Sequence, residues 1–266
     1  MQGATDLTSP WVTPPVLSRR RVRAEILIVL GLSLGASAVY SIVAIINRVT
    51  REEALSQQTA TLNSSLSDRQ VFDLVYQLLA VFFGLMPVAL VCYLLWQAAR
   101  PQLGRLGLPF DRVGRDVWYG LLLALAVGIP GLAFYFVTRV LGITVAVVPT
   151  ALDSYWWTIP VLVLAAARAA IVEEFIALGY LFARLTELGW GRWRIIVSSA
   201  LLRGSYHLYQ GFGAFIANAA MGVLFGWLYT KYGRLLPLVI THFALDAAVF
   251  IGYPWAAATF PALFNM

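Results

Sequence analysis

Seven apolar runs, at about residues 24–46, 71–97, 117–138, 156–182, 193–209, 212–230 and 235–253, set the first constraint on what this chain can fold into. Most approach the ~20 residues that cover roughly 30 Å of hydrocarbon at about 1.5 Å per residue. The chain is 60% hydrophobic and 12% charged, so its 19 basic and 13 acidic residues cannot dress the whole exterior of a soluble protein of 266 residues. The expected fold is therefore all-α: a polytopic transmembrane helical bundle of about seven spans, six to eight, embedded in a lipid bilayer. A shorter apolar stretch, 143–152, is broken by Pro149 and is expected to be re-entrant or interfacial.

Charge placement gives the orientation. The net charge of +6 comes from arginine clusters flanking the apolar runs, which is a topology signal and argues against nucleic acid as a partner. Arg19, Arg20, Arg21 and Arg23, then Arg100, Arg105, Arg112 and Arg115, then Arg184, Arg192 and Arg194, then Lys231 and Arg234, all fall on alternate loops. That pattern places the N-terminus in the cytoplasm of a multi-pass plasma-membrane protein, with a bacterial membrane as the expected setting. The expected organisation is a disordered cytoplasmic tail over 1–18, N-terminal membrane helices over 19–150, a helical core over 151–254 and a C-terminal tail over 255–266. Cys92 is the single cysteine, so neither a disulfide nor a multi-thiolate metal site is available.

The costly residues lie in the second half. Arg168, Glu173, Glu174, Arg203, His207, His242 and Asp246 all fall within apolar runs, where a charge at the bilayer centre costs about 2.5–3.5 kcal/mol on insertion scales. Such groups persist when they face a protein interior or a wet cavity and pair with one another, so four helices are expected to enclose one polar site. Arg203 and His207 share a helix face at i,i+4, as do His242 and Asp246, whereas Glu173 and Glu174 point about 100° apart. One glutamate can then face the cavity while the other braces it. A carboxylate and imidazoles so placed suit water activation and oxyanion stabilisation. Arg168 reads as structural, pairing with a glutamate of its own helix or reaching toward a polar cavity. Gly222 and Gly226 read as a close-packing pair, and Asn218 as a hydrogen bond between helices.

At these residues the sequence resembles the CPBP intramembrane proteases, a family that includes the type II CAAX prenyl endopeptidases and bacteriocin-processing or self-immunity proteins. The family's EExxxR motif corresponds to Glu173-Glu174-Phe175-Ile176-Ala177-Leu178, with leucine in place of the arginine. Its FxxxH motif corresponds to Arg203-Gly204-Ser205-Tyr206-His207, and its HxxxN motif to His242-Phe243-Ala244-Leu245-Asp246. The resemblance covers about 155–250. It implies an endopeptidase in which Glu173 and His207 activate water and His242 stabilises the oxyanion, with a membrane-associated peptide or protein as substrate. Two departures have a physical reading: Arg203 supplies from the neighbouring helix the cation missing at Leu178, and Asp246 orients His242. No cofactor is expected; a zinc ion held by His207, His242 and Glu173 is the alternative. A noncatalytic, partner-binding membrane scaffold on the same fold is the alternative function.

Overall fold

A computed structural model describes residues 18–96, 106–108 and 110–259. The expected tail over 1–18 falls almost entirely outside these residues, as do Arg100 and Arg105. The helices are α1 Arg19–Gly31, α2 Leu34–Val49, α3 Gln70–Gly84, α4 Met86–Leu94, α5 Val113–Val140, α6 Thr158–Glu174, α7 Leu181–Glu187, α8 Arg192–Tyr206, α9 Phe212–Tyr232, α10 Leu236–Ala247 and α11 Tyr253–Thr259. Wide π turns at Phe175–Tyr180 and Ala248–Gly252 join α6 to α7 and α10 to α11.

Among the described residues four helices are long and apolar enough to cross a membrane, or five if the α1–α2 pair, bent by 55°, is one span. Each of the seven apolar runs contains helix, but three do not qualify as long unbroken helices: the first is the bent α1–α2 pair. The fourth is split by the π turn after Glu174, and α8 has 15 residues. The bundle is also not purely helical. The stretch expected to be re-entrant contains β2, Ala146–Val148, which pairs in parallel with β1, Thr59–Thr61. Pro149 and a β-branched run favour an extended backbone over a short helix here. The C-terminal tail expected from 255 begins as part of α11.

Two ends of the bundle are defined by contacts between loops. At the strand end, the backbone amide of Val145 donates to the carbonyl of Gln210 and the side-chain amide of Asn63 to that of Pro149, bringing the loops after α2, α5 and α8 together. At the arginine-rich end, the amide of Leu235 donates to the carbonyl of Gly107, and Arg234 pairs with Asp111 and Asp116. There too, buried Arg184 joins three passes, pairing with Glu25 of α1 at 2.7 Å and donating to the carbonyl of Leu94 at 2.9 Å.

Small residues set the spacing of the helices that carry the ionisable groups. A Cβ at Gly222 would lie 2.8 Å from the Cα of Ala200, and one at Gly226 3.1 Å from Phe182, so α9 rides against α8 and α7 at nearly backbone distance. On the other flank, a Cβ at Gly120 would lie 2.7 Å from Ile240, and Thr241 donates to the carbonyl of Gly120, fixing α10 against α5. Asn218, expected to bond between helices, instead donates to the carbonyl of Ala214 one turn earlier in α9.

Candidate active site

Four segments bring the ionisable residues together: the end of α6, the end of α8, the first residue beyond it, and the middle of α10. Glu174 is fully buried and Arg203 is 1% exposed. Both Arg203 amino groups reach the Glu174 carboxylate, Nη1 at 3.2 Å from Oε2 and Nη2 in a short contact with Oε1, giving the two-pronged geometry that suits a guanidinium and a carboxylate. Arg203 Nη2 also stands 3.5 Å from Glu173. The position that carries arginine in the EExxxR motif is filled by Leu178, 1% exposed and packed in the apolar core. The cation that neutralises the glutamate pair comes from α8.

Glu174 also holds the first imidazole. Its Oε1 lies 2.8 Å from His242 Nδ1. Because Arg203 Nη2 is only 2.9 Å from the same nitrogen, a proton on Nδ1 is best donated to the carboxylate, which then accepts from both cations. His242 Nε2 is thereby aimed away from the braced pair, 3.8 Å from Glu173 and 3.5 Å from Asp246. Asp246 thus faces the nitrogen left free, and the carboxylate that orients the ring is Glu174.

Glu173 is the more accessible of the pair, its side chain 14% exposed. It accepts a hydrogen bond at 2.7 Å from the hydroxyl of Tyr206. His207, next along the chain, sits just past the last turn of α8, with Nδ1 3.0 Å from the carbonyl of Arg203. A carbonyl only accepts, so the proton is on Nδ1 and the lone pair is on Nε2. Glu173 and His207 lie within electrostatic reach of one another. Gly211 sets the turn that follows: its φ of +109° favours glycine, and a Cβ there would lie 2.6 Å from the carbonyl oxygen of Ile143.

The π turn after Glu174 is tied to the neighbouring helix. Widening the helix frees carbonyls from their usual partners, and the hydroxyl of Ser199 on α8 takes up that of Ala177 at 2.8 Å. This bond locks the glutamate-bearing helix to the helix that carries Arg203 and His207. Tyr206 is the participant that sequence reading missed. It is the fourth residue of the FxxxH-like segment and carries no charge. Its signal is a hydroxyl-bearing aromatic one residue before a histidine in an apolar run.

The match to known proteins falls on this part of the molecule. Residues 155–248, about a third of the chain, match the family described as type II CAAX prenyl endopeptidase Rce1-like. This segment is similar to the Rce1-like family. It runs from just before α6 to the π turn after α10, so it contains every residue of the site above. No curated protein and no solved structure matches the chain. Residues 155–248 are thus similar to a membrane protease family, and four or five of the described helices are long and apolar enough to cross a membrane. Among the described residues no group of three or more His, Cys, Asp or Glu side chains is arranged to hold a metal ion. Within this segment, Nδ1 of each histidine is already engaged, by Glu174 and by the carbonyl of Arg203.

Proposed function

We propose that this protein is an intramembrane endopeptidase that hydrolyses a peptide bond of a membrane-associated peptide or protein. The observation that carries the reading is the division of labour between adjacent glutamates. Glu174 is spent on Arg203 and His242, while Glu173, with 14% of its side chain exposed, keeps Tyr206 as its donor and has His207 nearby. The Rce1-like match supports the reaction class.

In this reading Glu173 accepts a hydrogen bond from water and orients it, His207 Nε2 takes one of its protons, and the hydroxide oxygen bonds to the scissile carbonyl carbon as the carbonyl π pair moves to oxygen. The negative charge that develops on the carbonyl oxygen accepts a hydrogen bond from His242 Nε2–H. Collapse of the tetrahedral intermediate breaks the C–N bond as His207 returns the proton to the leaving amine. Arg203 and Glu174 touch neither reactant. They hold the His242 ring and offset the charge of Glu173. Tyr206 fixes the carboxylate rotamer. No step is assigned to a metal.

The chain crosses the bilayer seven times in this account, with the arginine-rich end in the cytoplasm and His242 about 9 Å, six residues, along α10 from that end. The test compares new N-termini in membranes of cells producing the wild type, Glu173→Gln or His207→Ala. A peptidase loses its wild-type-specific cleavage products in both variants. Full retention by either variant contradicts the assignment, and a scaffold tolerates at least one of them.

A further inference from the structure

The exposed charge at the arginine-rich end of the bundle is unbalanced. Arg19, Arg20, Arg21 and Arg23 open α1, Arg192 and Arg194 open α8, and all of them are exposed. The helices α1, α7 and α8 carry only two carboxylates, Glu25 and Glu187. Both pair with buried Arg184, at 2.7 and 2.9 Å. The exposed arginines at the two helix starts pair with no carboxylate among the described residues.

The fold brings the two groups together. The Glu25–Arg184 pair docks α1 on α7, and the turn that ends α7 closes on Gly189, whose φ of +81° suits glycine, with the amide of Trp190 donating to the carbonyl of Leu185. A Cβ at Gly189 would lie 4.0 Å from an Arg19 amino group, so the start of α1 reaches the turn that leads into α8. Just beyond it, the Arg194 guanidinium lies over the Trp190 ring, 3.9 Å to the centroid, which holds it in place. Both helices then change character at the same level. Leu27 and Ile28, about one turn after Arg23, are 71% and 60% exposed, and Val197, one turn after Trp193, is 46% exposed. With the helices crossing a bilayer as above, these apolar side chains face hydrocarbon, and the arginines stand where hydrocarbon gives way to headgroups, with exposed Trp193 as an interfacial aromatic.

We infer that the starts of α1 and α8 together form a binding site for the headgroup of an anionic phospholipid. Planar guanidinium groups match the oxygens of a phosphate two at a time, and arginines beside an anionic surface add to one another. A zwitterionic headgroup brings its own cation, and both carboxylates of these helices are already engaged by Arg184, so the site favours a headgroup whose net charge is negative. Its acyl chains would lie along the exposed apolar side chains one turn further on, Leu27 and Ile28 on one side and Val197 on the other. Lipid held this way bridges α1 to α8 and stabilises the bundle by binding the folded state. The site shares no residue with the Glu173 centre, so it stands or falls independently of the peptidase reading.

The test uses the full chain in a neutral maltoside detergent with three probes: dioctanoyl phosphatidylglycerol, dioctanoyl phosphatidylcholine and inorganic phosphate. Binding is counted by native mass spectrometry and followed as a shift in Tm. Phosphatidylglycerol is expected to bind about tenfold more tightly than phosphatidylcholine and to raise Tm, while phosphatidylcholine and inorganic phosphate leave Tm unchanged. Arg19→Gln and Arg194→Gln should each weaken phosphatidylglycerol binding about fivefold, the ratio that corresponds to ~1 kcal/mol for an arginine beside an anionic surface. Arg194→Lys keeps the charge without the fork and retains part of the affinity. Arg115→Gln removes an exposed arginine at the same end from α5, which carries no residue of the site, and leaves the affinity unchanged. The substituted side chains are exposed, so each variant should keep the wild-type Tm in the absence of lipid. Equal affinity for the two lipids, a preference that survives the Arg19→Gln/Arg194→Gln pair, or an equal loss with Arg115→Gln overturns the site. Inorganic phosphate raising Tm as far as phosphatidylglycerol does overturns a lipid as its ligand.

Discussion

Replacing Arg203 by leucine tests the arrangement that holds the site together. The substitution leaves Glu174, fully buried, without its cation, and leaves His242 as the remaining donor to that carboxylate. Breaking a buried ion pair by removing one partner costs about 3–5 kcal/mol. Part of this is returned, because Arg203 Nε is itself buried without a hydrogen-bond partner, a penalty of about 1–3 kcal/mol. The contact of the guanidinium with the Phe225 ring, 5.1 Å to the centroid, is lost as well, worth about 0.5–1 kcal/mol. The net expectation is a loss of about 2–4 kcal/mol. For a chain of this size that is roughly 5–15 °C in Tm, measured by intrinsic tryptophan fluorescence in detergent or nanodiscs. Leucine at 178 lies four residues after Glu174, so adding Leu178→Arg offers a replacement cation at helical i,i+4 spacing and should recover part of the loss. If Arg203→Leu unfolds within 2 °C of the wild type, as roughly judged by the same scale, the pairing contributes nothing. If the double variant is no better than the single, the exchange of cation between helices is wrong.

Three further perturbations probe separate links. Tyr206→Phe removes the hydroxyl that donates to Glu173, and a hydrogen bond to a charged group is worth about 1.5–3 kcal/mol; cleavage should fall at least tenfold with the fold intact by circular dichroism, and an unchanged rate contradicts a positioning role. Gly211→Ala places a carbon 2.6 Å from the carbonyl of Ile143 at a φ of +109°, so it should cost roughly 1–3 kcal/mol and lower activity through His207, read by Tm and turnover together. At the arginine-rich end, the hydrogen bond from Arg234 holds the Asp111 carboxyl below the usual carboxylate range. A lowered folded-state pKa means the contribution is present above the unfolded value of about 4 and is lost as pH falls through the folded value. The Tm difference between wild type and Asp111→Asn should therefore be largest near neutral pH and shrink in acid; a difference that grows on acidification has the wrong sign.

Hydropathy made the helical character of the bundle legible, because lipid-facing helices carry their signal in composition rather than in contacts. It did not reveal that the run containing Glu173 and Glu174 is interrupted by a π turn. That break depends on the Ser199 hydroxyl of another helix taking the Ala177 carbonyl, a tertiary event with no local mark. The short sheet was missed for a similar reason: Thr59–Thr61 and Ala146–Val148 are three residues each, too short for alternation to be read, and they are brought together only when the helices between them fold back. The participants in the site were legible because buried charge is costly enough to mark each one. Their pairing was less so. Asp246 shares a helix face with His242 and stands 3.5 Å from its Nε2, whereas Nδ1 is held by Glu174 from another helix, a contact that no i,i+4 spacing shows. Tyr206 carried no charge to mark it, and its role appears only once α6 and α8 are side by side.

In this account Glu173, partly exposed while Glu174 is spent on Arg203 and His242, directs water at a peptide bond. Cleavage of a membrane peptide by the purified full chain in water enriched in oxygen-18, followed by mass spectrometry of the new C-terminus, measures that step directly. The account predicts one heavy oxygen in each new carboxyl group with the wild type, and no product with Glu173→Gln although that variant folds and keeps its Tm. Product formation by Glu173→Gln at the wild-type rate, with the same label, would show that another group delivers the water.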